Sequence, residues 1–193
     1  MHMPRIHVLA ALAALLSGLA PAAAAQPLVT FQGTPIAYRV DVPVQGWNRS
    51  VDNDVLTVGR DDVIMMVSVT DLVSLQQNPG TVSEADQRRI YTQRFMGSDS
   101  IMMALMTRVV SSLNSLEPDG RVLEVSTLGG QRGAYVRGRL QGPTPGVGEA
   151  YLTVKDGIMY LLVFFARDSS PEKHQDLFDR VHRSFVLAEA PPR

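Results

Sequence analysis

The apolar run IMYLLVFFA, residues 158–166, decides the fold of this chain. It is nine residues long, far short of the ~20 apolar residues that a membrane-spanning helix needs. Its β-branched and aromatic side chains favour a strand, and a strand that is apolar at every position is covered on both of its faces. We therefore predict a sheet that carries one packed layer above this strand and another below it.

The segments around this run form hairpins. EAYLTVK and IMYLLVFFAR flank Asp156-Gly157, and RVLEVSTL and QRGAYVRGRL flank Gly129-Gly130. Alternating segments around Asp-Gly or Gly-Gly are the strongest short-range hairpin signal. Further strands are predicted at residues 36–43 (IAYRVDVP) and on either side of residues 60–62, whereas residues 46–54 (GWNRSVDND) are predicted to be a loop.

Three helices are predicted. Thr81 or Ser83 can cap a helical region that would measure ~50 Å as one rod, too long for so small a domain. GSDS at residues 97–100 therefore divides it into helices over roughly 83–96 and 99–116. The third helix begins at Ser170 and Pro171, and one apolar face of it contains Leu177, Phe178, Val181 and Phe185.

The first 25 residues have the pattern of a secretory signal peptide. Arg5 precedes the apolar stretch VLAALAALLSGLA, and small residues end at Ala25, where we predict cleavage. Residues 26–193 then form a single domain, exported to the periplasm or secreted. The chain has no cysteine, which excludes disulfides and a lipid anchor on cysteine.

The charge balance excludes some classes of partner. The chain has 18 basic and 19 acidic side chains, and the predicted cleavage removes Arg5 and no acidic residue. Nucleic-acid binding requires a basic face, and membrane-surface binding requires a polybasic patch. We therefore expect neither nucleic acid nor a membrane surface among the partners of this protein. The apolar stretches are too short to span a bilayer, so we expect no membrane span either.

The histidines do not form a catalytic or metal-binding pattern. His174 and His182 are eight residues apart, ~12 Å along a helix, so they cannot bind one ion. His174 lies within the apolar face of the third helix, where we interpret it as a residue at the rim of the core. A ligand-binding or general-base role for His174 is the alternative. No G-x-S-x-G motif and no phosphate-binding glycine loop occurs, so we expect no enzyme activity and no cofactor. The pair Asp61-Asp62 is interpreted as solvated turn charge, with a surface calcium site as the alternative.

The methionines give a second hypothesis. FMGSDSIMMALM contains Met96, Met102, Met103 and Met106, and clustered thioethers can bind Cu(I) in an exported protein. On a helical wheel, however, Met102 and Met106 fall within an apolar arc and are explained as core residues. Met103 lies off this arc, so we interpret it as a contact with another helix or with a partner.

Two short motifs give the chain a family resemblance. The entry YRVDVPVQGW, with Pro43, Gly46 and Trp47, and the ending DLFDRVHRSF, with its final Ser-Phe, resemble the PsbP/DcrB-like family of exported proteins. The resemblance implies an α+β fold in which an antiparallel sheet of about six strands is sandwiched between helical layers. Family members are mostly non-enzymatic, and they include an extrinsic photosystem II subunit, a Ran-binding import factor and bacterial envelope proteins. The resemblance therefore implies no catalytic residues.

These observations predict an exported, non-catalytic accessory or binding protein of the bacterial cell envelope. Its partner would be an envelope protein or a small ligand, contacted through Trp47, Met103, His174 or the glycine-rich link at residues 142–148. We expect Trp47→Ala and Met103→Ala to leave folding intact while weakening capture of the partner. The alternatives are a methionine-based Cu(I)-binding protein and, third, a hydrolase that uses His174.

Overall fold

The computed structural model describes residues 27–33, 38–52, 55–74, 82–112, 116–118, 124–140, 146–167 and 172–187. The predicted signal peptide, residues 142–145 of the glycine-rich link and the predicted cap at residues 170–171 lie outside the described residues. The helices are α1 (Glu84–Met96), α2 (Asp99–Ser112) and α3 (Glu172–Ser184). The strands are β1 (Leu28–Gly33), β2 (Tyr38–Pro43), β3 (Asn48–Asp52), β4 (Val55–Arg60), β5 (Val63–Asp71), β6 (Leu116–Pro118), β7 (Glu124–Leu128), β8 (Gln131–Leu140), β9 (Gly146–Lys155), β10 (Ile158–Ala166) and β11 (Val186–Leu187).

The described strands form two antiparallel sheets. The large sheet has the order β3-β4-β5-β10-β9-β8-β6, and β7 also pairs with β8. The small sheet has the order β1-β2-β11. The predicted α+β class with an antiparallel sheet between covering layers is confirmed, although the large sheet has more strands than the expected six and the small sheet was not predicted.

The apolar run lies where the first prediction placed it, in the middle of the large sheet. Strand β10 pairs with β5 on one side and with β9 on the other. Tyr160, Leu162 and Phe164 face a core that also contains α3 and the small sheet, which we call the α3-side core. Leu161 and Val163 face the opposite core, with α2, which we call the α2-side core. Both faces of β10 are therefore covered, as a fully apolar strand requires.

The predicted hairpins are present with the expected turn chemistry. Gly129 and Gly130 have φ angles of 59° and 78°, and Asp156 and Gly157 have φ angles of 51° and 72°. Two successive residues with positive φ are typical of the type I′ turn, whose twist matches that of the flanking strands. The third predicted connection, at residues 61–62, joins β4 to β5.

The helices confirm the predicted division. Ser83 caps α1 by accepting a hydrogen bond from the backbone N–H of Asp86, and α1 ends at Met96, with Gly97 as its C-cap before α2 begins. The predicted end of the second helix at residue 116 is wrong, because α2 ends at Ser112 and Leu116 begins β6 opposite Leu140. Leu116 is 7% exposed in that position, so pairing at the sheet edge buries it without a further helical turn.

Strand β3 corrects the prediction that residues 46–54 are a loop. All five of its residues are exposed, so the segment lacks the alternation of buried and exposed positions that reveals a strand. Its hydrogen bonds to β4, which pair Arg49 with Val58 and Val51 with Leu56, determine its conformation. None of the described helices is long and apolar enough to cross a membrane.

Candidate functional site

Trp47 is less accessible than the sequence suggested. The turn Val44–Trp47 is closed by a hydrogen bond from the Trp47 N–H to the Val44 carbonyl, and Gly46 has a φ of 74°. This turn folds the indole into the α3-side core, where it is 9% exposed. The guanidinium carbon of Arg60 lies 5.0 Å from the indole centroid. Only a small edge of Trp47 is therefore available to a partner, and its truncation removes core packing.

Most of the described methionines pack on one side of the large sheet, whereas Met65 lies in the α3-side core. Met102 and Met106 are 1% and 0% exposed in the α2-side core, which confirms their interpretation as core residues. Met103, expected to lie off the apolar arc, is half-buried and packs against the same core. Met96, Met66 of β5 and Met159 of β10 also pack there. These six thioethers therefore belong to an apolar layer under α2.

The two histidines of α3 are placed differently from each other. His174 is 6% exposed, and its ring centroid lies 6.2 Å from that of Phe178. His182 stacks on Tyr151 with 4.0 Å between ring centroids, and its Nε2 lies 2.8 Å from the carbonyl oxygen of Thr127. Because a carbonyl only accepts hydrogen bonds, Nε2 of His182 carries a proton. Within the described residues, no group of three or more histidine, aspartate or glutamate side chains could hold a metal ion.

A buried carboxylate that sequence reasoning missed lies under α3. Glu149 of β9 is 1% exposed, and it is the one carboxylate among the described residues that is buried. Tyr151 donates a hydrogen bond to its Oε2 over 3.4 Å, and the Nε of Arg137 lies 3.8 Å from its Oε1. Gln175 of α3 is also hydrogen-bonded to it. The two measured distances are long for contacts to a carboxylate.

The surroundings of Glu149 disfavour its charge. Burial raises the pKa of its carboxyl, Asp179 on α3 raises it further, and Arg137 and the hydrogen bonds from Tyr151 and Gln175 lower it; the net direction is upward. The pKa of the Tyr151 hydroxyl is also raised, first by burial and then by the charge of Glu149. The cluster therefore favours the protonated form of a buried carboxyl to a higher pH than an exposed glutamate would keep it.

The sequence contained a signal for this position. The Asp156-Gly157 turn pairs Lys155 with Ile158, and counting outward from it pairs Glu149 with Phe164, in the middle of the apolar run. The predicted strand began at residue 149, so Glu149 stood at its end, where exposure is normal. The real strand begins at Gly146, which places Glu149 in the interior.

A surface feature lies where the two sheets meet at their edges. Strand β1 is an edge of the small sheet and β3 is an edge of the large one. The guanidinium carbon of Arg49 on β3 lies 5.8 Å from the ring centroid of Phe31 on β1. Val29 and Val51, on the same faces of these strands as Phe31 and Arg49, are 50% and 59% exposed. We call Val29, Phe31, Arg49 and Val51 the sheet mouth.

Comparison with known proteins supports the fold. No protein-family model matches the chain, and no curated protein sequence matches it. The solution structure of cyanobacterial PsbP (CyanoP) from Synechocystis is similar to it, with a TM-score of 0.52 and 16% identity over 83% of this chain and 92% of that one. At this identity the similarity shows a PsbP-like fold and not a function.

Two other solved structures are less similar. The Ran-binding protein Mog1p of Saccharomyces cerevisiae has a TM-score of 0.48 and 11% identity, over 84% of this chain and 96% of that one. LpqN of Mycobacterium tuberculosis, which is involved in cell envelope biogenesis, has a TM-score of 0.41 and 12% identity, over 84% of this chain and 91% of that one.

Proposed function

We propose that this chain, which has a PsbP-like fold, is an exported, non-catalytic accessory protein of the bacterial cell envelope that binds a protein partner. The sheet mouth is the observation that carries the proposal. In each of its strands the side chains project toward the space between the two sheets, because Phe31 pairs with Val40 and Val51 pairs with Leu56, both in the α3-side core. Apolar surface is therefore exposed beside two strand edges.

The partner that fits this surface is an extended segment of another envelope protein. In the described part of the chain, no strand pairs with the outer edge of β3, so its N–H and C=O groups are free to accept an added strand. Such a segment would gain main-chain hydrogen bonds from β3. One apolar side chain of it would cover Val51 and Val29, whose exposure is otherwise unfavourable.

The test is site-specific crosslinking. A photo-reactive residue placed at position 51 of the exported protein should crosslink one envelope protein, which mass spectrometry identifies. The purified partner should then bind wild-type protein, and Val51→Asp should weaken binding at least tenfold, ~1.4 kcal/mol. A charge at this position opposes burial of an apolar side chain.

Val125→Asp is the matched control. Val125 is 52% exposed on β7, so the substitution has the same chemistry and similar exposure at a different edge. Equal weakening by Val51→Asp and Val125→Asp, or normal binding by Val51→Asp with its fold intact, would contradict the sheet mouth as the binding surface.

Cuprous-ion binding is the second candidate function, favoured by one observation. Met66 and Met159 pack against the same core as the four methionines of the motif, so the layer has more thioethers than the motif alone supplies. The test is competition for Cu(I) under reducing conditions. The control changes the half-buried thioethers and keeps their volume, with Met66→Leu, Met96→Leu, Met103→Leu and Met159→Leu. Equal Cu(I) affinity for the two proteins would exclude this function.

The third hypothesis, a hydrolase that uses His174, has a direct test. His174→Ala should abolish any hydrolysis found in a broad screen of esters and peptides, if the ring acts as a general base. His174 is buried beside Phe178, so His174→Phe is the control that keeps packing and removes basicity. Activity retained by His174→Phe would exclude a catalytic role.

A further inference from the structure

The polar face of α3 lies over Glu149. Gln175, Asp179 and His182 are spaced by four and three residues, so they project from one side of the helix. Gln175 is hydrogen-bonded to Glu149, and its Nε2 also donates to Oδ1 of Asp179 over 2.9 Å. His182 stacks on Tyr151 and donates to the Thr127 carbonyl. Polar contacts therefore join α3 to β9, on which Glu149 lies, and to β7.

Every packed element contributes a group that faces Glu149. Strand β8 contributes Arg137, whose side chain is 43% exposed, and β9 contributes the Tyr151 hydroxyl. Strand β10 contributes the uncharged ring of Phe164, its cross-strand partner. From α3 come the amide of Gln175 and the carboxylate of Asp179.

The balance of these groups favours the neutral acid. Burial is the largest cost of an ionised Glu149, and Asp179 repels it as well. Arg137, with its Nε 3.8 Å away and its side chain 43% exposed, attracts the carboxylate more strongly than Asp179 repels it, but this attraction does not offset the cost of burial. A protonated Glu149 removes the repulsion from Asp179 and gains an O–H donor, which the side-chain carbonyl of Gln175, its hydrogen-bonded neighbour, can accept.

Movement of α3 would reach the small sheet. Phe178 of α3 stacks on Phe164 with 4.6 Å between centroids. The hydroxyl of Ser184 accepts a hydrogen bond from the Asp41 N–H over 2.9 Å. Phe185, just after α3, stacks on Tyr38 of β2 at 5.5 Å. The helix and the small sheet are therefore held to the large sheet together.

We propose that Glu149 is a proton-controlled latch for α3: the neutral acid holds the helix and the small sheet against the large sheet, and the ionised carboxylate loosens them. A carboxyl whose pKa is raised by folding contributes stability at low pH, and this contribution is lost as the pH rises through the folded-state pKa. At low pH, α3 and the small sheet are thus held against the large sheet, and at high pH they are loosened. It is independent of which partner the protein binds.

The experiment measures amide hydrogen exchange in α3 and the small sheet at about pH 5 and pH 8. Protection factors are compared, because they remove the intrinsic pH dependence of exchange. In the wild-type protein we expect protection of residues 172–187 to fall at least about threefold at the higher pH. Glu149→Gln, which imitates the neutral acid, should keep the high protection at both pH values.

Asp176→Asn is the matched control, because Asp176 is an exposed acid on the same helix, and it should retain the wild-type pH dependence. Asp179→Asn removes the charge that repels Glu149, so it should reduce the pH dependence of protection. This variant serves as the test if Glu149→Gln does not fold. The latch would be overturned if folded Glu149→Gln kept the wild-type pH dependence of protection. If Glu149→Gln does not fold, the same result in Asp179→Asn would overturn it.

Discussion

Arg88 of α1 donates a hydrogen bond from Nη2 to Oδ2 of Asp71, the last residue of β5, over 2.6 Å. The same guanidinium donates from Nη1 to the Asp156 carbonyl at the β9–β10 turn. Thr92 accepts a hydrogen bond from the N–H of Gly157 in that turn. This group of contacts attaches α1 to the end of the large sheet, and α1 buries only Gln87 among its own side chains. Polar contacts, more than apolar burial, therefore hold this helix.

We predict that Asp71→Asn lowers the free energy of unfolding by about 1.5–3 kcal/mol at neutral pH, because a charged hydrogen bond is lost in a half-buried place. Urea unfolding measures the change. Asp61→Asn is the control, since its ion pair with Arg60 spans 3.8 Å and Asp61 is 84% exposed. Its effect should stay within ~0.5 kcal/mol. If Asp61→Asn lowered the free energy of unfolding as much as Asp71→Asn does, the stabilising role of the Arg88–Asp71 contact would be contradicted.

The pH dependence of the Asp71 contact has a definite sign. Burial raises the pKa of Asp71, but the hydrogen bond from Arg88 and those from the N–H groups of Val73 and Ser74 outweigh it, so the pKa is lowered. A lowered pKa contributes stability above the ordinary value of 3.8, and this is lost as the pH falls through the folded-state value. The difference in unfolding free energy between wild type and Asp71→Asn should therefore shrink in acid. A difference in unfolding free energy that stays unchanged as the pH falls well below 3.8 would contradict this.

Gly157 and Gly130 make a matched pair of turn glycines. Both have positive φ, so alanine at either position carries strain of about 1–2 kcal/mol. A Cβ on Gly157 would also lie 2.9 Å from the Cα of Arg88, whereas one on Gly130 would meet nothing within 4 Å. Thermal unfolding should show a larger loss for Gly157→Ala than for Gly130→Ala. Equal losses would mean that α1 does not pack on the turn as the structure shows.

Phe185 stacks on Tyr38 and is 3% exposed, so it attaches the end of α3 to the small sheet. Phe185→Ala should lower the free energy of unfolding by about 3–5 kcal/mol, because it leaves a cavity between them. Denaturant unfolding measures this. Val125→Ala, at an exposed position, should change it by less than ~0.5 kcal/mol.

Trp47 is the single tryptophan of the chain, so its fluorescence reports on the α3-side core directly. We predict emission typical of a buried indole, which shifts to longer wavelength on unfolding. Trp47→Ala should cost about 3 kcal/mol of unfolding free energy, and Arg60→Ala about 0.5–1 kcal/mol through the lost cation–π contact. This replaces the expectation that Trp47→Ala leaves folding intact. Solvent-exposed emission from the native protein would contradict the burial.

Export of the protein and cleavage of its predicted signal peptide can be measured directly. Expressed in a Gram-negative host with its full sequence, the protein should be found in the periplasm or the medium. Mass spectrometry of its N-terminus should begin at Gln26, the residue after the predicted cleavage at Ala25. Arg5→Glu removes the positive n-region and should slow processing. An intact N-terminus in the cytoplasmic fraction would exclude the predicted signal.

The sequence by itself determined the parts of the fold that depend on neighbouring residues. The hairpin at Asp156-Gly157 and the division of the helices near Gly97 were predictable, because turn conformation and capping are decided within a few residues. The two-sided burial of residues 158–166 was predictable as well, because an apolar run needs cover from both directions.

Tertiary structure alone decided the features that depend on distant partners. The exposed strand β3 exists because β4 pairs with it. Leu116 lies in a strand and not in α2, because it pairs with Leu140 of β8. Glu149 is buried because α3, which begins more than twenty residues later, covers it with Gln175 and Asp179. A local sequence pattern indicates which side chains can be buried. Which of them are buried depends on the segments that pack over them, and this packing is determined by the free energy of the whole fold.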